Sequence, residues 1–243
     1  MTDIASAQNP RLKALRRLHT RRERARHGRF LAEGEDLIAA ASRAGRDALE
    51  GYRLAGSGLG ESGFHDVERA ALAGVSSLGS GTRVIGVYEQ RWGPAVGPLC
   101  VYLQGVGDPG NVGAVLRSAQ AFGASCVALG PGCADPHGPK AVRASMGAIF
   151  AVGLARVGGV AELPGERVAL VAGAGEPLRG DGAGSGPVTL LVGAERDGLP
   201  EDVVAACDRV AHIPIASQSL NAAMAATVAL YELTREPSRV RAS

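Results

Sequence analysis

Three short stretches of this sequence combine glycine, proline and a few polar side chains in the manner of loops that hold ligands. The first is Asp108-Pro109-Gly110-Asn111-Val112-Gly113-Ala114-Val115-Leu116-Arg117, between an apolar run and a helical pattern. Pro109 fixes the backbone, Gly110 and Gly113 let a ligand come close, and Asn111 is a helix cap or a polar contact. Arg117 follows on a helix face that otherwise carries Val112, Leu116 and Ala119. A cation near a helix start works against the macrodipole and needs an anionic neighbour; a solvated surface arginine is the alternative. The second stretch, Gly193-Ala194-Glu195-Arg196-Asp197-Gly198-Leu199-Pro200, brackets an acid between two glycines directly after an apolar run. It suits a small ligand lying against backbone, with a solvated turn as the alternative. In the third, Ile213-Pro214-Ile215-Ala216-Ser217-Gln218-Ser219-Leu220-Asn221, Ser219 is placed to cap the final helix, so that Leu220 and Asn221 face whatever lies at its N-terminus.

These loops need a frame, and regular alternation supplies one. After Arg91–Pro98, a proline- and glycine-bearing segment without an apolar period, strands are predicted at Leu99–Gln104, Cys126–Leu129, Phe150–Leu154, Val168–Ala172, Val188–Val192 and Val210–Ile215. Helices are predicted at Val112–Phe122, Pro139–Met146, Glu201–Ala206 and from Ser219 to about Arg235. This is the pattern of an α/β domain with a mostly parallel sheet covered on both faces, in which ligands bind at the carboxyl ends of the strands. All three loops fall at such ends. The first part of the chain is less regular, with strands expected at Gly51–Ala55 and Thr82–Tyr88 and a helix at Phe64–Leu72, and it reads as a smaller α/β domain. The expected domains are therefore residues 1–92 and 98–243.

The charge distribution separates these halves. Net charge is only +2, yet Arg11, Lys13, Arg16, Arg17, Arg21, Arg22, Arg24, Arg26 and Arg29 face a single acid, Glu23, within one stretch. Leu12, Leu15 and Leu18 recur at helical spacing, so this basic arm is expected to be an amphipathic helix with a cationic face. Such a face suits a polyanion, because each phosphate contact by Lys or Arg releases counterions; a merely solvated face is the alternative. Immediately after it, Phe30-Leu31-Ala32-Glu33-Gly34 turns into an alanine-rich helix with acids in its first turn.

Other chemistries are poorly served. Cys100, Cys126, Cys133 and Cys207 form no C-x-x-C pair, and the five histidines lack i, i+4 partners, which argues against zinc, any other metal and a disulfide framework. Gly58-Leu59-Gly60-Glu61-Ser62-Gly63 matches a dinucleotide fingerprint by letter, but it sits outside the regular α/β half of a chain with 35 glycines and lacks a convincing βαβ setting. It reads as a turn. No apolar run approaches the roughly 18 residues that span a bilayer, and the polar N-terminus has no apolar segment behind it, so the cytoplasm is expected and a membrane is not.

Taken in order, the three loops resemble the three motifs of the SpoU/TrmH family of RNA ribose 2′-O-methyltransferases, within the SPOUT superfamily. Asn111, Gly113 and Arg117 match the first motif, Gly193, Glu195 and Gly198 the second, and Ile213, Pro214, Ser219, Leu220 and Asn221 the third. Asn9-Pro10-Arg11 and Phe30–Gly34 also resemble the family's substrate-binding domain. Two departures stand out. Only Ala216, Ser217 and Gln218 separate Ile215 from Ser219, without the usual glycine, and Ala222-Ala223 follows Ser219-Leu220-Asn221 where relatives often carry Val-Ser.

The resemblance implies a C-terminal SPOUT domain with a deep trefoil knot, preceded by a small RNA-binding domain. It implies S-adenosyl-L-methionine as cofactor, held by Ala172, Gly173, Gly193, Ile213, Pro214 and Leu220, and a homodimer whose sites draw on both copies. Arg117 becomes the catalytic residue, with Asn111, Glu195, Ser219 and Asn221 orienting it and the ribose. A guanidinium stays protonated in proteins, so its expected part is to hold a phosphate and stabilise a developing alkoxide. Arg11, Lys13, Arg16, Arg17, Arg21 and Arg22, joined by Lys140 and Arg143, are the expected RNA contacts. Ribosomal RNA is favoured over transfer RNA, and a non-catalytic RNA-binding or ribosome-assembly factor is the competing class. A dinucleotide oxidoreductase would need its fingerprint in the regular half, where none occurs.

Overall fold

The computed structural model describes residues 2–78, 81–179, 186–217 and 219–235. In chain order the elements are α1 (Pro10–Arg17), α2 (Arg21–His27), β1 (Arg29–Glu33), α3 (Glu35–Arg43), β2 (Glu50–Leu54), β3 (His65–Val67), α4 (Arg69–Ala73) and β4 (Val84–Glu89). There follow β5 (Leu99–Leu103), α5 (Pro109–Ala121), β6 (Cys126–Leu129), α6 (Pro139–Ala144), α7 (Ala148–Ala151), β7 (Gly153–Arg156) and β8 (Glu166–Leu170). The last elements are β9 (Glu176–Pro177), β10 (Val188–Val192), α8 (Glu201–Ala205), β11 (Arg209–His212) and α9 (Ala222–Thr234). None of the described helices is long and apolar enough to cross a membrane.

The contacts divide into two compact units. The first holds Met1–Arg91 together with Asp135–Ala151. Its sheet runs β1-β4-β2-β3, antiparallel except for the β2–β3 pair. The basic arm is two helices instead of the single one expected. Asn9 accepts from the Arg11 N–H to cap α1 and Thr20 caps α2, while Arg24 donates at 2.8 Å to the carbonyls of Leu18 and His19 at the corner between them. Leu12, Leu15 and Leu18 are buried in one cluster with Tyr52, Leu72 and Ile85, so the arm is an integral wall of this unit. Residues 135–151 make their contacts with this unit for two physical reasons. Arg24 makes a buried ion pair with Asp135, at 2.7 and 2.9 Å, and Phe150 stacks against Phe30 and meets Tyr88 edge-on. The helix expected at Phe64–Leu72 is instead β3 followed by α4, because Glu68 takes the cap position and accepts from the N–H groups of Ala70 and Ala71.

The second unit comprises Trp92–Ala134 and Val152–Ser243. Its seven-stranded sheet is parallel throughout, in the order β7-β6-β5-β10-β8-β11-β9. Every residue of β10 is buried, as a central parallel strand requires. The two last strands each insert between strands already laid down: β10 between β5 and β8, and β11 between β8 and β9. Cys100 and Cys126 face each other in register on β5 and β6, and the four cysteines are unpaired. Helix α5 begins at Pro109, three residues earlier than expected, because Asp108 caps it by accepting from the Asn111 N–H at 3.0 Å and Pro109 suits the first helical position. It packs against α9, where the hydroxyls of Ser118 and Thr227 meet at 2.6 Å.

Candidate active site

The carboxyl ends of β8, β10 and β11 and the start of α9 enclose a cavity of about 350 Å³ in the second unit. This is where an open parallel sheet receives ligands. Most of its lining is aliphatic, with Leu170, Val192, Ile213 and Leu220 among the wall residues, and the side-chain polarity comes from Glu195, Arg196 and Ser219. Aliphatic side chains beside backbone and side-chain polar groups, in a cleft of this size, suit a small organic ligand with both apolar and polar parts.

The second loop owes its shape to its glycines. Ala194 and Gly198 exchange two backbone hydrogen bonds, at 3.2 and 3.0 Å, leaving Glu195, Arg196 and Asp197 at the tip of a tight turn. A Cβ on Gly193 would lie 2.1 Å from the carbonyl carbon of Gly198. Gly193 is therefore required by the loop's own closure, where the sequence suggested the approach of a ligand.

That closure aims Glu195 at the first loop. Its carboxylate accepts from the Asn111 amide, and the Asn111 oxygen accepts from the Asn221 amide at 3.1 Å. The Asn221 oxygen in turn accepts from the N–H groups of Ala223 and Met224, at 3.0 and 3.3 Å. An ionised carboxylate only accepts, so Asn111 must present its NH2 to Glu195 and its oxygen to Asn221. One hydrogen-bond chain with fixed polarity thus joins the loops after β5, β10 and β11. It also relocates two caps. Asn221, not Ser219, caps α9, and Asp108, not Asn111, caps α5.

Of the residues expected at the cofactor, Ala172, Gly193, Ile213 and Leu220 line the cavity, as does Ser219, while Gly173 and Pro214 are outside its lining. Gly173 turns the chain after β8 with φ of +68°, and Pro214 is exposed. The shortened loop leaves Ala216 and Ser217 exposed, and Gln218 lies outside the described residues. Gly113 is buried in α5, so it serves packing and not ligand approach.

Arg117 is not drawn into this network. It sits mid-helix on the exposed side of α5, away from the buried face formed by Val112, Leu116 and Ala119, so neither the macrodipole conflict nor the shared apolar face inferred from sequence applies. Among the described residues its guanidinium has no hydrogen-bond or ion-pair partner.

A family model described as the SpoU rRNA Methylase family matches residues 98–231. The chain belongs to the SpoU rRNA methylase family. An MRM3-like substrate binding domain matches residues 9–58. The chain is 29% identical to the Bacillus subtilis 23S rRNA (guanosine(2553)-2′-O)-methyltransferase RlmP, over 96% of this chain and 99% of that one. An AdoMet-bound rRNA methyltransferase from Sinorhizobium meliloti superposes with a TM-score of 0.79 at 30% identity, covering 95% and 96% of the two chains. The SpoU methyltransferase AviRb of Streptomyces viridochromogenes, in complex with AdoMet, gives 0.81 at 26% identity over 93% and 97%. SpoU family membership accounts for the order of the three loops, and the MRM3-like match covers part of the small N-terminal unit.

The basic residues are unequal in this SpoU chain. Lys13, Arg17, Arg21 and Arg22 are exposed, and Arg11 is exposed beside the His65 ring. Arg16 is committed to the Ala7 and Gly74 carbonyls, and Arg24 to Asp135. Arg143 donates to Ser77 at 3.0 Å, and Lys140 is exposed on the same helix; both belong to the first unit with the arm. Arg196 was overlooked at the sequence level, although its place between the two loop glycines marked it.

Proposed function

We propose that the chain transfers the methyl group of S-adenosyl-L-methionine to a ribose 2′-hydroxyl of ribosomal RNA, in the cytoplasm and as a homodimer. The carrying observation is the juxtaposition of the aliphatic cavity with the Asn111–Glu195–Asn221 chain at its rim. The cavity's size and lining suit an adenosine, with Ala172, Gly193, Ile213 and Leu220 as its walls and Gly173 and Pro214 in the adjoining turns. The bound cofactor supplies an electrophilic methyl group on sulfur, and the protein's task is to align a ribose oxygen with it. Asn111 and Asn221, fixed by Glu195 and by the start of α9, orient the ribose together with Ser219. Arg117, always charged, holds the neighbouring phosphate and stabilises the alkoxide as the hydroxyl proton leaves.

Two features support the dimer. Met224, Val228 and Tyr231 are exposed along one stripe of α9, and exposed apolar patches mark interfaces. Arg117 points outward from α5, the helix that α9 packs against, and a second copy would receive it. The deep trefoil knot belongs to this proposal too, supported by the late insertion of β10 and β11 between earlier strands. The RNA would lie along Arg11, Lys13, Arg17, Arg21, Arg22 and Lys140 of the first unit, with selection by shape and single-stranded features, since the A-form major groove is too narrow to read.

Transfer of a labelled methyl group to ribosomal RNA tests this directly. Arg117→Ala is expected to abolish transfer while leaving cofactor affinity within about twofold. Near-normal turnover by that variant would overturn the role given to Arg117, and failure of the wild-type protein to bind S-adenosyl-L-methionine would overturn the function.

A further inference from the structure

Glu195 and Arg196 are the only charged side chains among the described residues lining the cavity, and they are differently employed. The Glu195 carboxylate is already met by Asn111. Arg196 has no hydrogen-bond or ion-pair partner among the described residues, although it sits on a turn closed by two backbone hydrogen bonds. A turn so fixed holds the Arg196 backbone in a set place on the cavity wall. A carboxylate entering this cavity alone would meet the Glu195 charge and give up part of its hydration against the aliphatic walls. It therefore needs a cation on the wall, and a guanidinium fork is shaped for a carboxylate.

We propose that Arg196 pairs with the α-carboxylate of the methionine end of S-adenosyl-L-methionine and so sets the orientation of that end in the cavity. The proposal rests on the methyltransferase reading of this site. It makes Arg196 a binding residue that distinguishes an amino-acid-bearing nucleoside from a bare one.

Calorimetric titration of the full-length protein with S-adenosyl-L-methionine, S-adenosyl-L-homocysteine and 5′-methylthioadenosine, which lacks the amino-acid end, provides the test. Arg196→Gln is expected to weaken the first two by about tenfold or more while leaving 5′-methylthioadenosine within about twofold, and Arg196→Lys to recover part of the loss. Equal weakening of all three ligands would mean that Arg196 merely supports the turn, and would overturn the proposal. Unchanged affinity for all three would also overturn it; if RNA affinity then fell with a shallower salt dependence, Arg196 would be a phosphate contact instead. Wild-type protein that binds none of the three would refute the methyltransferase reading itself, a result distinct from the failure of Arg196 alone.

Discussion

Replacing Gly193 by alanine should separate the cofactor cavity from the rest of the fold. The new Cβ would lie 2.1 Å from the Gly198 carbonyl carbon and 2.3 Å from its oxygen, where ordinary contact begins near 3.4 Å. The turn must therefore open by about 1.3 Å, the difference between those distances, and the obstruction is backbone, which cannot rotate aside. Opening breaks the two hydrogen bonds between Ala194 and Gly198. At about 0.5–1.5 kcal/mol each, their loss amounts to roughly 1–3 kcal/mol, which cofactor binding would have to restore. That corresponds to a Kd weakened about 5- to 150-fold, measured calorimetrically with S-adenosyl-L-methionine. A contrasting variant checks the cause. Gly198 has φ of +66° with nothing within 4 Å of a built Cβ, so asparagine, which tolerates that conformation, should hold affinity within about threefold. A folded Gly193→Ala protein with wild-type affinity would refute the reasoning.

Arg24→Ala should destabilise the protein by about 3 kcal/mol in urea unfolding, because it strips the largely buried Asp135 carboxylate of its guanidinium, leaving it the His137 N–H, and frees two carbonyls. A loss under 1 kcal/mol would contradict the structural role of this arginine. Replacing exposed Arg21 and Arg22 together should leave stability within about 0.5 kcal/mol each and lower the slope of log affinity for RNA against log salt by about 0.7–0.9 per charge; an unchanged slope would remove them from the RNA face. Hydrogen bonds from the Arg167 side chain and backbone hold the Asp208 carboxyl down at about 2, below its unfolded value. A depressed carboxyl contributes stability above its unfolded pKa and loses it as pH falls through the folded one, so Asp208→Asn should flatten the acid limb of the stability profile between about pH 4 and pH 2. An acid limb identical to wild type would show that the pair contributes nothing.

Much of the frame was legible because its signals are local. Alternating strands and helices after residue 98 announced a parallel sheet, and the continuous apolar run Val188–Val192 announced its centre. Boundaries slipped where a cap outranked the apolar period. Asp108 and Pro109 start α5 before the first periodic residue, Glu68 splits one expected helix into strand and helix, and Asn221 displaces Ser219. Hidden altogether was the bend in the basic arm. Its leucines keep helical spacing right up to it and none follows, and the residue that holds the corner, Arg24, finds its acid 111 positions away. No window on the sequence contains both partners, so a buried structural arginine looked like one more charge for RNA. The same separation explains why truncating the arm is a poor test of RNA binding: Leu12, Leu15 and Leu18 would leave the core with it.

At the site, the motifs named the residues while concealing the wiring. Asn111 is 84 positions from Glu195 and 110 from Asn221, yet the order of donors along the chain is forced once the three meet, because a carboxylate at one end and helix N–H groups at the other leave each amide a single orientation. That rigidity gives a reason for three separate loops to contribute to one place: each fixes a part of the next. Arg117 lies outside the circuit for an equally physical reason. A cation meant to meet phosphate and a developing alkoxide must not be neutralised by its own chain, and an exposed guanidinium on α5 with no internal partner meets that condition. The role proposed for it depends on groups brought by other molecules, so neither helix period nor macrodipole could locate it. Resemblance to relatives carries that assignment, and the Arg117→Ala transfer measurement can overturn it.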